Sequence, residues 1–123
     1  HGPFSLALLP IGAYEPRWFM ADVHVNPGEA VQAHLDLRAG RSIGMHFGTF
    51  QLTYEKIDQP QQDLAVALAN MNVSSEDFSL LSPGESSLIV PAETPHLARQ
   101  KRRYPHGASP QQTGIGSSSS AAR

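Results

Sequence analysis

The chain is 123 residues long, which is enough for one small domain or for part of a larger one. It contains no cysteine, and this excludes disulfides and thiolate metal sites. No apolar run approaches the roughly 20 residues that a membrane-spanning helix needs. We therefore expect a soluble protein that is cytoplasmic or bound at the surface of a membrane.

The net charge of −2 conceals two segments of opposite charge. Residues 1–96 contain all eleven acidic side chains and four basic ones, a net charge of −7, whereas residues 97–123 contain five basic side chains and no acidic one, a net charge of +5. The last segment is also rich in Ser, Pro and Gly and cannot supply a core. We therefore predict that residues 1–91 form the domain and that residues 92–123 form a disordered basic tail.

The basic cluster around Lys101 has two interpretations. Clustered positive charge can attract nucleic acid or an anionic membrane. A solvated tail accounts for the same composition without a partner, and we favour it. We therefore expect no nucleic-acid partner, and a peripheral contact with a membrane stays open.

The first half of the domain predicts a strand, a helix and a second strand. Residues 4–9 form an apolar run typical of a strand that is buried on both faces. The sequence NPGE at residues 26–29 combines a capping Asn, a Pro suited to the first turn and a Glu that can complete a capping box. We expect this helix over residues 27–39, with Gly40 as its stop, and the next strand over residues 42–47.

The second half of the domain predicts another helix over residues 60–70 and two short strands over residues 78–81 and 87–90. The sequence SPGE at residues 82–85 is a turn signal between these strands. Strands that alternate with amphipathic helices predict an α/β fold in which both helices cover one face of a sheet. This order matches one half of an αβ/βα sandwich.

Three sequence blocks stand out within this pattern. The most informative is IGMHFGTF at residues 43–50, which places His46 at the end of a strand and directly before a glycine turn. Many metallohydrolases place a metal ligand in this way. The other two blocks precede it: LPIGAYEPRWFM at residues 9–20 and HVNPGEAV at residues 24–31.

In their order, residue identities and spacing, these blocks resemble the C-terminal part of metallo-β-lactamase-fold hydrolases. The closest similarity is to the branch that contains N-acyl-phosphatidylethanolamine-hydrolysing phospholipase D, and it extends from about Gly2 to Val90. The resemblance implies the C-terminal half of a four-layer αβ/βα sandwich and a metal-dependent hydrolase with one or two zinc ions. The metal-binding H-x-H-x-D-H motif of the family is not in this sequence. We therefore expect the chain to be a fragment whose metal site needs the N-terminal half of the domain.

The resemblance assigns roles to two histidines. His46 matches a histidine that binds metal in the family, although by spacing alone a lone histidine after an apolar run is more often structural. His24 lies 22 residues earlier and matches a histidine beside the active site. The resemblance therefore implies that the two histidines border the same pocket. The position of His24 implies a catalytic role, either in orienting the phosphoryl oxygen or in proton transfer. A loop histidine with a solvent-facing ring is the alternative.

The loop between the first strand and the first helix is a candidate to line the substrate-binding site. Tyr14 offers a hydroxyl, Arg17 a fork of donors for phosphate, and Trp18 with Phe19 an apolar surface for an acyl chain. The alternative is that Arg17 pairs with Glu15 while the aromatic side chains pack on the helix.

Other polar residues are predicted to be structural or solvated. His34 falls beside the apolar stripe of the first helix, and we expect it to be packed and hydrogen-bonded. Glu55 and Asp58 fall on a predicted surface turn and suit solvated charges.

Two classes of function follow. We favour a fragment of a zinc-dependent phosphodiesterase that acts on N-acyl phospholipids, with lactones or other phosphoesters as alternative substrates. The second class is a non-catalytic, truncated module. A catalytic zinc ion needs about three protein ligands, and His46 is the one ligand assigned here. We therefore expect a hydrolase as the parent and no activity from the isolated chain.

Overall fold

The computed structural model describes residues 3–91, so the prediction for the tail over residues 92–123 lies outside the described residues. Its helices and strands follow one another as β1 (Ala7–Pro10), α1 (Arg17–Met20), α2 (Pro27–Leu37), β2 (Ser42–Met45), α3 (Gln59–Met71) and β3 (Phe78–Ser79). The strands form a parallel sheet in the order β1-β2-β3. The predicted α/β class is confirmed, while the four-layer sandwich stays a prediction.

The register of the sheet places the ends of β1 and β2 side by side. Ala7 pairs with Ser42, and Pro10 pairs with Met45. The pairing continues one step further, because the Ile11 amide donates a hydrogen bond of 3.0 Å to the Met45 carbonyl oxygen. In a parallel sheet the segments that follow the strands leave from the same edge. The loops after β1 and β2 therefore meet at one edge.

Helix α2 forms where its capping signal predicts it. The Asn26 side chain accepts a hydrogen bond from the Glu29 amide, and the Glu29 side chain accepts one from the Asn26 amide, which together make a capping box. The helix ends at Leu37, and Arg38 takes the left-handed conformation with φ of 50°. The expected stop at Gly40 is wrong, because Arg38 already fills the left-handed C-terminal position.

Helices α2 and α3 pack on one hydrophobic core. Helix α3 begins with Pro60 in its first turn and ends before Asn72, which is left-handed with φ of 54°. The core joins side chains from both helices and from the sheet: Ile11, Ala30, Val31, Leu64, Ala67, Leu68 and Phe78. The two helices therefore lie on the same side of the sheet, as the alternating pattern predicts.

Two predictions about the strands are wrong. Residues 87–90 do not form a strand, and Leu88 in this segment is 85% exposed. The segment has apolar side chains but no strand to pair with among the described residues. The first strand is not buried on both faces, because Leu8 is 57% exposed. Leu8 and Met45 share the face of the sheet opposite the helices, and both side chains are exposed.

None of the helices between residues 3 and 91 is long and apolar enough to cross a membrane.

Candidate functional site

The candidate site begins where β2 ends. His46 is the first residue after this strand and has φ of 62°, a conformation that is uncommon for residues other than glycine. The loop after β1 packs directly on it: a Cβ atom on Gly12 would collide with the carbonyl oxygen of His46. Glycine at residue 12 is therefore what allows the two loops to approach each other so closely.

The two candidate histidines lie together at this edge. The ring centroids of His24 and His46 are 5.3 Å apart, and the ring planes are inclined by 44°. His24 is half-buried on the turn that follows α1, where its amide donates a hydrogen bond of 2.8 Å to the Met20 carbonyl oxygen. His46 is exposed. The predicted convergence of the two residues is thus present, and their chemical roles stay predictions.

The histidine pair does not form a zinc site by itself. Among residues 3–91, no group of three or more His, Asp or Glu side chains could hold a metal ion. Asp22, two residues before His24, does not complete such a group. A catalytic zinc ion needs about three protein ligands, so the described residues supply too few.

His46 is among the residues that line cavities at this edge. One cavity has a volume of about 350 Å³ and lies between the end of β2 and the segment after β3, with Gly44, Leu80 and Ser82 in its wall. The other has a volume of about 310 Å³ and is lined by His46, Phe47, Thr49, Phe50 and Leu52. His46 therefore lines open volume at the edge where the parallel strands end.

Arg17 is engaged with protein groups. Its Nη2 lies 2.8 Å and 3.0 Å from the two carboxylate oxygens of Glu29, and its Nη1 donates a hydrogen bond of 3.0 Å to the His24 carbonyl oxygen. Glu15 accepts a hydrogen bond from the Arg17 amide instead of pairing with its guanidinium. The alternative in which Arg17 pairs with Glu15 is therefore wrong.

Tyr14 is also engaged. The side chain is buried, and its hydroxyl donates a hydrogen bond of 2.5 Å to Asp63 Oδ2. Burial and the adjacent Asp63 carboxylate raise the pKa of Tyr14 well above its usual value of 10. The hydroxyl is therefore protonated at neutral pH, and its proton is used in binding the loop to α3.

Glu55 has a structural role that its position in the sequence does not reveal. Its carboxylate accepts hydrogen bonds from the amides of Ala13 at 2.7 Å and Glu15 at 3.1 Å, and from the Thr53 hydroxyl at 2.6 Å. Partial burial opposes ionisation, but the hydrogen bonds from Thr53 and the backbone outweigh it and lower the pKa of Glu55. The prediction of a solvated charge is therefore wrong for Glu55. The local sequence does not reveal these contacts, because the two amides lie 40 and 42 residues away in the chain.

The aromatic side chains of α1 lie on the surface. Trp18 is 86% exposed and Phe19 is 66% exposed, and their ring centroids are 5.7 Å apart. The alternative in which they pack on the helix is therefore wrong. Their exposure leaves an apolar surface next to the turn that carries His24.

His34 is a structural histidine, as predicted. It is buried, its Nδ1 lies 2.8 Å from the Ser42 hydroxyl oxygen, and its ring packs 5.9 Å from that of Phe78. Asp58 is exposed and accepts a hydrogen bond from Gln62 on the next turn of the same segment, in agreement with a solvated charge.

Comparison with known proteins finds the same resemblance as the three sequence blocks. The β-lactamase superfamily domain matches residues 1–47. Over 86 residues the chain is 45% identical to N-acyl-phosphatidylethanolamine-hydrolyzing phospholipase D 1 of Caenorhabditis elegans, a match that covers 68% of this chain and 24% of the relative.

Two further relatives extend the comparison. The mitochondrial N-acyl-phosphatidylethanolamine-hydrolyzing phospholipase D of Saccharomyces cerevisiae is 42% identical over 60 residues, which cover 49% of this chain and 13% of the relative. An uncharacterized protein of Mycobacterium tuberculosis is 47% identical over 70 residues, which cover 54% of this chain and 18% of the relative. The chain thus spans a quarter or less of the length of these relatives. The resemblance to this metallo-β-lactamase-fold branch is confirmed.

Proposed function

We propose that this chain, which resembles the N-acyl-phosphatidylethanolamine-hydrolysing phospholipase D branch of the β-lactamase superfamily, forms part of the active site of a zinc-dependent phosphodiesterase. In this proposal His46 is one zinc ligand and His24 acts on the reacting phosphoryl group. The contact between the two rings carries the proposal, since residues far apart in the chain meet at the edge where the parallel strands end.

The surroundings of His46 suit a metal ligand. A neutral imidazole is a good zinc ligand, and the His46 ring is exposed beside open cavities. Its backbone is held by the end of β2 and by the close approach of Gly12. Because residues 3–91 supply too few ligands for zinc, we propose that the other ligands come from outside the described residues.

His24 suits a role in orienting or protonating a substrate oxygen. Its ring is half-buried and lies next to the ring of His46, so an oxygen bound near His46 would lie within reach of His24. General acid–base catalysis by a positioned histidine contributes about 10²–10⁴-fold to a rate.

An N-acyl phospholipid is the substrate class that we propose, with peripheral contact to the membrane that contains it. The names of the worm and yeast relatives describe hydrolysis of N-acyl-phosphatidylethanolamine. In this chain the exposed Trp18 and Phe19 offer an apolar surface for an acyl chain close to His24 in sequence. Lactones and other phosphoesters are the alternative substrates within the same proposal.

The test is a hybrid enzyme. The part of the Caenorhabditis elegans relative that this chain does not match is joined to the chain, and hydrolysis of N-acyl-phosphatidylethanolamine and bound zinc are measured. We expect His46→Ala to remove both zinc and activity. We expect His24→Ala to retain zinc and to lower kcat by about 10²–10⁴-fold. Gln32→Ala on the exposed surface of α2 is the control and should change neither. A hybrid that stays equally active without His46 would show that the ligand assignment is wrong.

A non-catalytic module is the second candidate, favoured by the lack of a three-ligand group within residues 3–91. The test is calorimetric titration of the 123-residue chain with zinc. We expect no submicromolar site, because two imidazoles provide fewer ligands than zinc sites use. Submicromolar binding that disappears in His46→Ala would contradict this expectation and indicate self-association that rebuilds a site.

A further inference from the structure

We infer that Arg17 is a positioning residue: its guanidinium holds the backbone of His24 against the start of α2 and thereby sets the position of the His24 ring next to His46. The inference rests on the proposed function for its catalytic consequence. The contacts themselves can be tested without it.

The guanidinium joins two parts of the chain that flank the site. Its Nη2 forms an ion pair with the Glu29 carboxylate and lies 2.8 Å and 3.0 Å from the two carboxylate oxygens. Its Nη1 donates to the His24 carbonyl oxygen at 3.0 Å and, over a longer distance of 3.4 Å, to the Tyr14 carbonyl oxygen. A planar group with several N–H donors in fixed directions can make these contacts at once, whereas an ammonium group has no such fork.

Glu29 is itself held in place. Its Oε2 accepts a hydrogen bond of 2.9 Å from the Asn26 amide, and its own amide donates one of 2.8 Å to Asn26 Oδ1. The following residues of α2, Ala30 and Val31, are completely buried in the core. The ion pair therefore ties Arg17 to a rigid element, and such support is what fixes a side chain in a functional site.

The backbone of His24 is held from both sides. Its amide donates to the Met20 carbonyl oxygen at 2.8 Å, and its carbonyl oxygen accepts from Arg17 at 3.0 Å. The next residue, Val25, packs against the core. Removal of the Arg17 contact leaves the carbonyl side of His24 without this restraint, so the ring can move away from His46.

The same contacts argue against Arg17 as a ligand for the substrate phosphate. A phosphate bound to this guanidinium would lie beside the Glu29 carboxylate. The two negative charges would repel each other because they are close together. A phosphate that takes Nη2 of Arg17 would have to displace the Glu29 carboxylate. Its effect on the reaction is therefore exerted through His24.

The direct test uses nuclear Overhauser contacts between the ring protons of His24 and His46 in the 123-residue chain. Arg17→Lys keeps the charge but loses the fork, and Glu29→Gln keeps a side chain that can complete the capping box but loses the ion pair. We expect both variants to lose the ring contact while amide dispersion shows that the fold is retained. Asp36→Asn at the exposed end of α2 is the matched control and should keep the contact. An intact ring contact in folded Arg17→Lys and Glu29→Gln would overturn the inference.

The hybrid enzyme provides the second test. Because a displacement of about 1 Å can cost up to about 10²-fold in rate, we expect Arg17→Lys and Glu29→Gln to lower kcat by about tenfold or more with little change in KM. A phosphate-binding Arg17 would give a different pattern: a raised KM in Arg17→Lys, and an unchanged or lower KM in Glu29→Gln. That pattern would overturn the positioning role. If the unmodified hybrid is inactive, the proposed function fails, and the ring contact in the chain still decides the role of Arg17.

Discussion

The core between the helices and the edge that carries the histidines are held together by different interactions. Apolar side chains fill the core, where Ile11, Val31, Leu64 and Phe78 are almost inaccessible to solvent. Burial of a side chain of this size contributes about 1.5–3 kcal/mol. These contacts involve several elements at once, so the loss of one is felt throughout the fold.

At the edge, polar contacts hold the loops together. The Glu55 carboxylate accepts hydrogen bonds from the amides of Ala13 and Glu15. The Arg17 guanidinium binds both the His24 carbonyl oxygen and the Glu29 carboxylate. A hydrogen bond of this kind contributes about 0.5–1.5 kcal/mol net. Because the core contacts do not include these polar groups, we expect the fold to survive changes that displace the histidines. Stability and site geometry can therefore be varied separately.

The largest effect is expected in the core. Phe78→Ala removes a fully buried ring that also packs on His34, and we expect a loss of about 3–5 kcal/mol in the free energy of unfolding. Urea denaturation followed by circular dichroism measures it. Phe50→Ala is the matched control, because Phe50 is 74% exposed. Equal losses in the two variants would show that the core is not where the stability lies.

Gly12→Ala should have the next largest effect and links the two regions. The added methyl group collides with the His46 carbonyl oxygen, and overpacking of this kind costs about 1–3 kcal/mol. We expect a lower Tm together with a changed contact between the rings of His24 and His46. Gly84→Ala is a control for the added methyl group, since no atom lies within 4 Å of a Cβ at that position. Because Gly84 has a φ of 84°, we expect this variant to lose some stability too. We expect no change in its contact between the rings of His24 and His46.

Glu55→Gln should have a smaller effect on stability and a clear effect on the edge. Glu55 Oε2 accepts from the Glu15 amide, and an amide nitrogen in that place would face another donor. We expect a loss of about 1–2 kcal/mol and faster hydrogen exchange at Ala13 and Glu15, with little change at the core amides. Asp58→Asn on the exposed surface should leave both unchanged. Unaltered exchange at Ala13 in Glu55→Gln would contradict this account of the edge.

The smallest effect concerns pH. The pKa of Glu55 is lowered from its usual value of 4.5, so the folded protein binds fewer protons at this group than the unfolded chain does. Its contribution to stability is therefore complete above about pH 4.5 and is lost as the pH falls through the lowered pKa. We expect the stability difference between the wild type and Glu55→Gln to shrink on acidification below pH 4.5. A difference that stays constant there would show that the carboxylate charge is not what holds the loop.

Local signals in the sequence predicted local structure well. The cap of α2 was predicted because Asn26 and Glu29 are three residues apart and satisfy each other. The strand that precedes His46 is predicted from its apolar run and the glycine that follows. The convergence of His24 and His46 was predicted from the family resemblance, because no periodicity connects residues in different loops.

The contacts that the sequence did not reveal are all between distant residues. Glu55 looked like a surface charge because its amide partners are 40 and 42 residues away. The alternative pairing of Arg17 with Glu15 rests on their nearness in sequence, whereas Glu29 is brought to Arg17 by the turn before α2. The exposure of Leu8 depends on what covers the sheet, and a strand's own sequence does not specify this.

The parallel pairing of β1 with β2 has a consequence for the time order of folding. The two strands are joined through α2, so they reach their register only after the intervening chain has crossed over the sheet. Non-local pairing of this kind is slow relative to helix formation. The contact between His24 and His46 depends on this pairing and should appear late in refolding, after the amides of α2 have become protected. The histidine pair is therefore a natural reporter of the final step of assembly.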